Sequence, residues 1–192
     1  PYGYNSFWFD ATPYLVEGKN ILAVRLENLT ESSRWYPGAG LYRNVHLITT
    51  GDAHVPVWGT QVITEELGSN FAKVSQKTSL DFPAGKEFAN YCIVTEIKDK
   101  DGNTVTSERQ QGTAYDGGIF RQDFTVKNPR LWTPETPYLY TSVSKIYEGD
   151  TLKDEYTTVF GIRTAEIIHG KGFFLNGERV QFQGVCNHHD LG

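Results

Sequence analysis

Two short groups of residues in this chain carry side chains that could do chemistry. They are Asn187-His188-His189-Asp190 near its end and Arg34-Trp35 near its start. Imidazole, amide and carboxylate side by side can donate and accept hydrogen bonds. A guanidinium offers donors in a fixed fork, and an indole face can stack on the C–H groups of a sugar ring. Adjacent histidines also suggest a metal. Along an extended chain, however, His188 and His189 point to opposite sides, and zinc needs three or four convergent ligands, so no metal site is expected. The loop Asn28 to Gly40 that holds Arg34 and Trp35 has two readings. It has the tools of sugar recognition, and it can equally be a Gly/Pro turn pinned by its own aromatics, which composition alone favours.

The elements that must position these groups are read from pattern. The stretch from Pro129 to Tyr140, PRLWTPETPYLY, holds three prolines and cannot be helical, because proline lacks the amide donor and pushes its predecessor out of helical space. It must be a rigid, extended lead into a strand beginning near Tyr138. Seven strand-like runs fill the region after the composition shift at Thr50-Gly51-Asp52. They lie near Val55 to Glu65, Phe71 to Leu80, Glu87 to Lys98, Thr104 to Arg109, Gly118 to Lys127, Tyr138 to Tyr147 and Thr151 to Phe160. That number suits an immunoglobulin-like sandwich. The clearest run sets Phe120, Gln122, Phe124 and Val126 against Arg121, Asp123, Thr125 and Lys127, one face toward a core and one toward water.

Ahead of the sandwich, Asn20 to Glu27 alternates with Leu22, Val24 and Leu26 on one face, and Val45 and Leu47 repeat the pattern. Three strands scarcely cover their own apolar face, so this piece is expected to be the end of a larger sheet. Beyond it, Phe173 to Val180 reads as a hairpin bent at Asn176-Gly177, and Val180 to Val185 as a further strand.

Composition narrows the function classes. A net charge of −5 without a basic patch leaves no footprint for nucleic acid. No apolar run reaches the roughly 20 residues of a membrane span. Charged residues at 21% argue against disorder. Aromatics at 14% suit a β core as well as a sugar site and separate nothing. Cys92 and Cys186 fall in different expected domains and are expected to be buried free thiols. Within residues 51 to 160 no nucleophile, base and orienting group come together, so this part reads as a spacer, with a carbohydrate-binding module as the alternative.

The Trp-x-Pro-x-x-Pro-x-Leu-Tyr run, Phe160-Gly161-Ile162-Arg163, Phe174-Leu175-Asn176-Gly177 and Gly184 to Asp190 together resemble the middle of glycoside hydrolase family 2, which holds β-galactosidases, β-glucuronidases and β-mannosidases. The resemblance implies an all-β chain: an immunoglobulin-like sandwich over 51–164, flanked by the last strands of a jelly-roll sugar-binding domain over 1–50. The hairpin and first strand of a catalytic (β/α)8 barrel would follow over 165–192. It places Arg34 and Trp35 near the substrate pocket, and Asn187, His189 and Asp190 along it, with His189 near the sugar and Asp190 in support.

Hydrolysis with retention needs two carboxyl groups about 5 Å apart. By resemblance both are glutamates on later barrel strands. The chain is therefore expected to contain no catalytic residue and to be inert alone, with no cofactor. Its parent would act on β-galactosides, with glucuronides and mannosides as alternatives. An autonomous carbohydrate-binding or interaction module is the alternative of a different class. No nucleic-acid or membrane partner is expected. The isolated chain is expected to dimerise or fray where its apolar edges lack neighbours. Compartment stays open between cytoplasmic and periplasmic or secreted, with any targeting segment upstream.

Overall fold

The computed structural model describes residues 5–29 and 40–186. The chain divides into two units, Pro1–Ile48 with Gly184–Gly192, and Thr49–Gln183.

The second unit carries a sandwich of seven antiparallel strands: β1 (Thr60–Leu67), β2 (Phe71–Ser79), β3 (Tyr91–Lys98), β4 (Thr104–Gln111), β5 (Ile119–Lys127), β6 (Tyr140–Glu148) and β7 (Thr151–Phe160). One sheet has the order β1-β2-β5 and the other β4-β3-β6-β7. All seven expected strands are present, and the starts of β1 and β3 shift most. β1 begins at Thr60 rather than Val55, because Gly59 N–H bonds back to the Pro56 carbonyl at 2.8 Å and Trp58 takes φ 60°, closing a turn where strand was expected. β3 begins after a 3-10 turn, Phe88–Asn90. The alternation places Phe120, Gln122, Phe124 and Val126 of β5 inside and their neighbours outside.

The core is not uniformly apolar. One cluster gathers Val55, Leu80, Phe88, Tyr91, Ile93, Phe120 and Ile146. A second gathers Val74, Ile97, Phe124, Val126, Tyr140 and Ile162. Six buried polar residues, Gln76, Thr78, Thr95, Gln122, Ser142 and Ser144, form a belt of their own. Gln76 and Gln122 are register partners in one sheet, and Thr95 and Ser144 in the other. Across the sandwich, Ser142 Oγ donates to Gln76 Oε1 at 2.6 Å and Gln76 Nε2 donates to Ser144 Oγ at 2.9 Å, while within β2 Gln76 Nε2 also donates to Thr78 Oγ1 at 2.9 Å. Thr95 Oγ1 donates to Gln122 Oε1 at 2.7 Å, and Gln122 Nε2 donates to the Glu108 carbonyl at 3.1 Å. Buried polar groups are costly only when unpaired, and these partner one another across the two sheets.

A third, smaller sheet follows in the same unit, with β8 (Ala165–Ile168), β9 (Gly172–Leu175) and β10 (Glu178–Val180) in the order β10-β9-β8. The β9–β10 hairpin bends at Asn176 (φ 52°) and Gly177 (φ 81°), both left-handed, the type I′ pattern that Asn-Gly favours.

Two strand expectations fail. Among the described residues of 5–48 the regular element is a 3-10 turn, Thr12–Tyr14, and the Asn20 to Glu27 and Val45 to Leu47 runs join no ladder. Leu22, Val24, Leu26 and Leu47 are exposed there. A period of two tells which side chains share a face, but a strand also needs a neighbour to pair with. Residues 181–186 likewise form no ladder, so the expected strand beyond β10 is absent from the described residues. Cys92 is buried as expected, whereas Cys186 is exposed, in a segment that joins no ladder among the described residues.

Candidate functional site

Arg34, Trp35, Asn187, His189 and Asp190 lie outside the described residues. Residues of three other motifs, Trp132, Gly161, Arg163 and Asn176 among them, are brought together at one place, a joint centred on Trp132 where the sandwich meets the β8–β10 sheet.

The joint is built by the proline-rich run. Thr133 and Thr136 close a tight turn, with Thr136 N–H donating to Thr133 Oγ1 at 3.0 Å, and a bridge pairs Trp132 with Pro137. This turn returns the chain to β6. Tyr140 then reaches back from the start of β6, and its buried hydroxyl accepts the Arg130 N–H at 2.9 Å. The arrangement is a tyrosine corner, which fixes the crossing between the two sheets. Arg130 lies over the Tyr138 ring at 4.5 Å.

On the other side of Trp132 runs the segment leaving β7. Trp132 N–H donates to the Ile162 carbonyl at 2.9 Å, and the Arg163 guanidinium lies 4.4 Å from the indole centroid. Gly161 passes so close that a Cβ there would meet Trp132 Cβ at 2.8 Å. Asn176 supplies the third side. Its Nδ2 donates to the Trp132 carbonyl at 3.1 Å, and its Oδ1 accepts Thr164 N–H at 3.0 Å. Trp132 thus holds three segments, the lead into β6, the exit from β7 and the β9–β10 bend.

An open groove of about 640 Å³ runs beside the joint, lined by Thr64 and Glu65 of β1, Val159 and Phe160 of β7, Arg163, and Glu166 of β8. Its chemistry is modest. Glu65 accepts a hydrogen bond from Ser75 in its own sheet, and the groove carries no histidine, serine or cysteine. His54 sits apart, at the bridge to Asp81, with a buried Nδ1 that meets no partner among the described residues. Among the described residues, no group of three or more His, Cys, Asp and Glu side chains is placed to hold a metal ion.

The sequence singled out Trp132, Gly161, Arg163 and Asn176 as separate motif positions. It did not reveal that they touch, nor that the Tyr140 hydroxyl anchors Arg130. The signal for the latter was present, a tyrosine at the start of the sixth strand following a proline-rich corner.

The sequence profile of glycosyl hydrolases family 2 matches residues 55–163, more than half of the chain. The chain belongs to that family. Within glycosyl hydrolases family 2, the matched stretch is the sandwich itself and closes at the Arg163 that stacks on Trp132. The chain is 44% identical to a β-galactosidase of Bacteroides ovatus over 196 aligned residues, covering 100% of this chain and 23% of that protein. It is 31% identical to a β-glucuronidase of Formosa agariphila, covering 95% of this chain and 21% of that one. Among solved structures, a β-glycosidase from Bacteroides vulgatus superposes with a TM-score of 0.68 at 25% identity, over 83% of this chain and 20% of that one. A family member from Bacteroides cellulosilyticus gives 0.63 at 31% identity, over 74% of this chain and 19% of that one. The chain spans about a fifth to a quarter of the length of these relatives.

Proposed function

We propose that this chain is the non-catalytic supporting section of a retaining β-glycosidase, a β-galactosidase acting on terminal β-galactosides. The observation that carries the reading is the 44% identity to a β-galactosidase over the whole of this chain, at 23% of that protein's length. The work of the described residues is mechanical: the sandwich is a support, and the Trp132 joint fixes how the β8–β10 sheet leaves it.

In this reading two glutamates on the remaining polypeptide supply the acid/base and the nucleophile. From this chain, Trp35 offers an aromatic face and Arg34 a fork of donors to the sugar. His189 hydrogen-bonds the substrate, Asp190 orients His189, and Asn187 lines the same pocket. The burial of Phe88, Tyr91, Phe120, Phe124 and Tyr140 supports a spacer over a carbohydrate-binding module, because these aromatics fill the core instead of forming a stacking surface.

The test is to assay the full-length polypeptide containing this sequence on aryl β-galactoside, β-glucuronide and β-mannoside. Preferred turnover of the galactoside is expected. Preference for another sugar would overturn the galactosidase assignment, and no turnover of any would overturn the glycosidase parent.

A further inference from the structure

We infer that Asn176 is a positioning residue, which clamps the β8–β10 sheet to the sandwich and so sets the direction in which the chain leaves it. The turn alone does not explain an asparagine. A left-handed φ of 52° is open to glycine and to aspartate as well. What asparagine adds is an amide that accepts and donates at once, and both functions are used over long sequence distances. Thr164 N–H donates to Oδ1 while Asn176 N–H donates to the Thr164 carbonyl at 2.9 Å, a closed pair of bonds to the segment that opens β8. Nδ2 then reaches the Trp132 carbonyl, 44 residues away in sequence. One side chain therefore ties the β9–β10 bend, the β7 exit and the lead into β6.

The small sheet needs such a tie. Its strands are four, four and three residues long, and three short strands carry little stability of their own. Ile167 is exposed, and Leu175, adjacent to Asn176, is the residue of these strands that is buried. Beyond β10 the Phe182 ring lies 4.7 Å from that of Phe173, so the outgoing chain stays on the sheet through residue 182. Whatever orients the sheet therefore orients the chain leaving it through residue 182. The importance of that direction for catalysis rests on the proposed function; the clamp itself does not.

The experiment uses the 192-residue chain with Cys186→Ser, and nitroxide labels on Asp123→Cys in β5 and Glu178→Cys in β10. Distances between labels are read by pulsed electron resonance, and amide exchange is followed in parallel. With Asn176 present, one narrow distance distribution is expected. With Asn176→Gly, which keeps the turn conformation, the distribution should broaden and amides of 165–180 should exchange about tenfold faster, with strands β1 to β7 unchanged. Asn176→Asp keeps the acceptor for Thr164 but loses the donor to Trp132, and it should broaden the distances with a smaller change in exchange. An unaltered distribution in Asn176→Gly overturns the inference. So does faster exchange spread equally through the sandwich, which would make Asn176 a general stability residue. Neither readout involves a sugar, so the inference can fail or stand independently of the glycosidase reading.

Discussion

Gly161 and Trp132 pack against each other with no room for a side chain at the glycine, since a Cβ at position 161 would lie 2.8 Å from Trp132 Cβ and 2.9 Å from Cγ. The contact closes the exit from β7 against the lead into β6. Gly161→Ala should force the indole or the backbone to shift, at a cost of about 1–3 kcal/mol. A urea titration of the chain reads this directly, and an unchanged midpoint would show that the joint is looser than described.

The tyrosine corner makes a separable contribution. Tyr140→Phe keeps the ring in the core and removes only the acceptor of the Arg130 N–H. The expected loss is about 1–2 kcal/mol with an unchanged slope in denaturant. A variant as stable as the parent would mean that water replaces the hydroxyl without penalty.

The polar belt predicts non-additivity. Gln76→Leu takes away partners of Thr78, Ser142 and Ser144 in a buried layer, and should cost about 2–4 kcal/mol. Adding Thr78→Val and Ser142→Ala removes two hydroxyls that lose their Gln76 partner and should recover part of that loss, while Ser144 keeps its contact with Thr95 Oγ1 at 3.1 Å. Equilibrium unfolding of the single and triple variants decides the matter, because simple addition of penalties would contradict a coupled network.

A surface network sets one pH dependence. Lys86 Nζ lies 2.7 Å from Glu148, and Lys153 Nζ lies 3.1 Å from it. The hydrogen bond from Lys86, then that from Lys153, holds the Glu148 carboxyl below the ordinary glutamate range. A carboxylate with a lowered folded value contributes stability above its unfolded pKa, roughly 4.3, and loses it as pH falls through the folded value. Melting curves of the parent and Glu148→Gln should therefore differ most near neutral pH and converge in acid below that range. A gap that persists unchanged in acid would assign the effect to packing.

The sandwich was legible because β2, β5 and β6 keep a period of two and the strands are separated by turn residues. Phe120 to Lys127 is an example in which every inward position is buried. The Asn176-Gly177 bend was legible for a similar reason, since few dipeptides tolerate two left-handed residues in succession. Asn20 to Glu27 shows the limit of the same rule, because its alternation is as clean as that of β5, yet pairing depends on a neighbour that periodicity does not specify. The polar belt was hidden for another reason. Gln76, Gln122 and Ser142 look like surface residues until their partners on the opposite sheet are known. The joint was legible as a set of motif positions but not as a contact, since Trp132, Gly161 and Asn176 meet only through the fold.

The most direct test of the central claim is to incubate the purified 192-residue chain with chromogenic aryl β-glycosides, aryl β-galactoside first. A supporting section without its own pair of catalytic carboxyls should release no aryl alcohol above the uncatalysed rate. Turnover above that rate would place catalytic carboxyls within these residues and contradict the account.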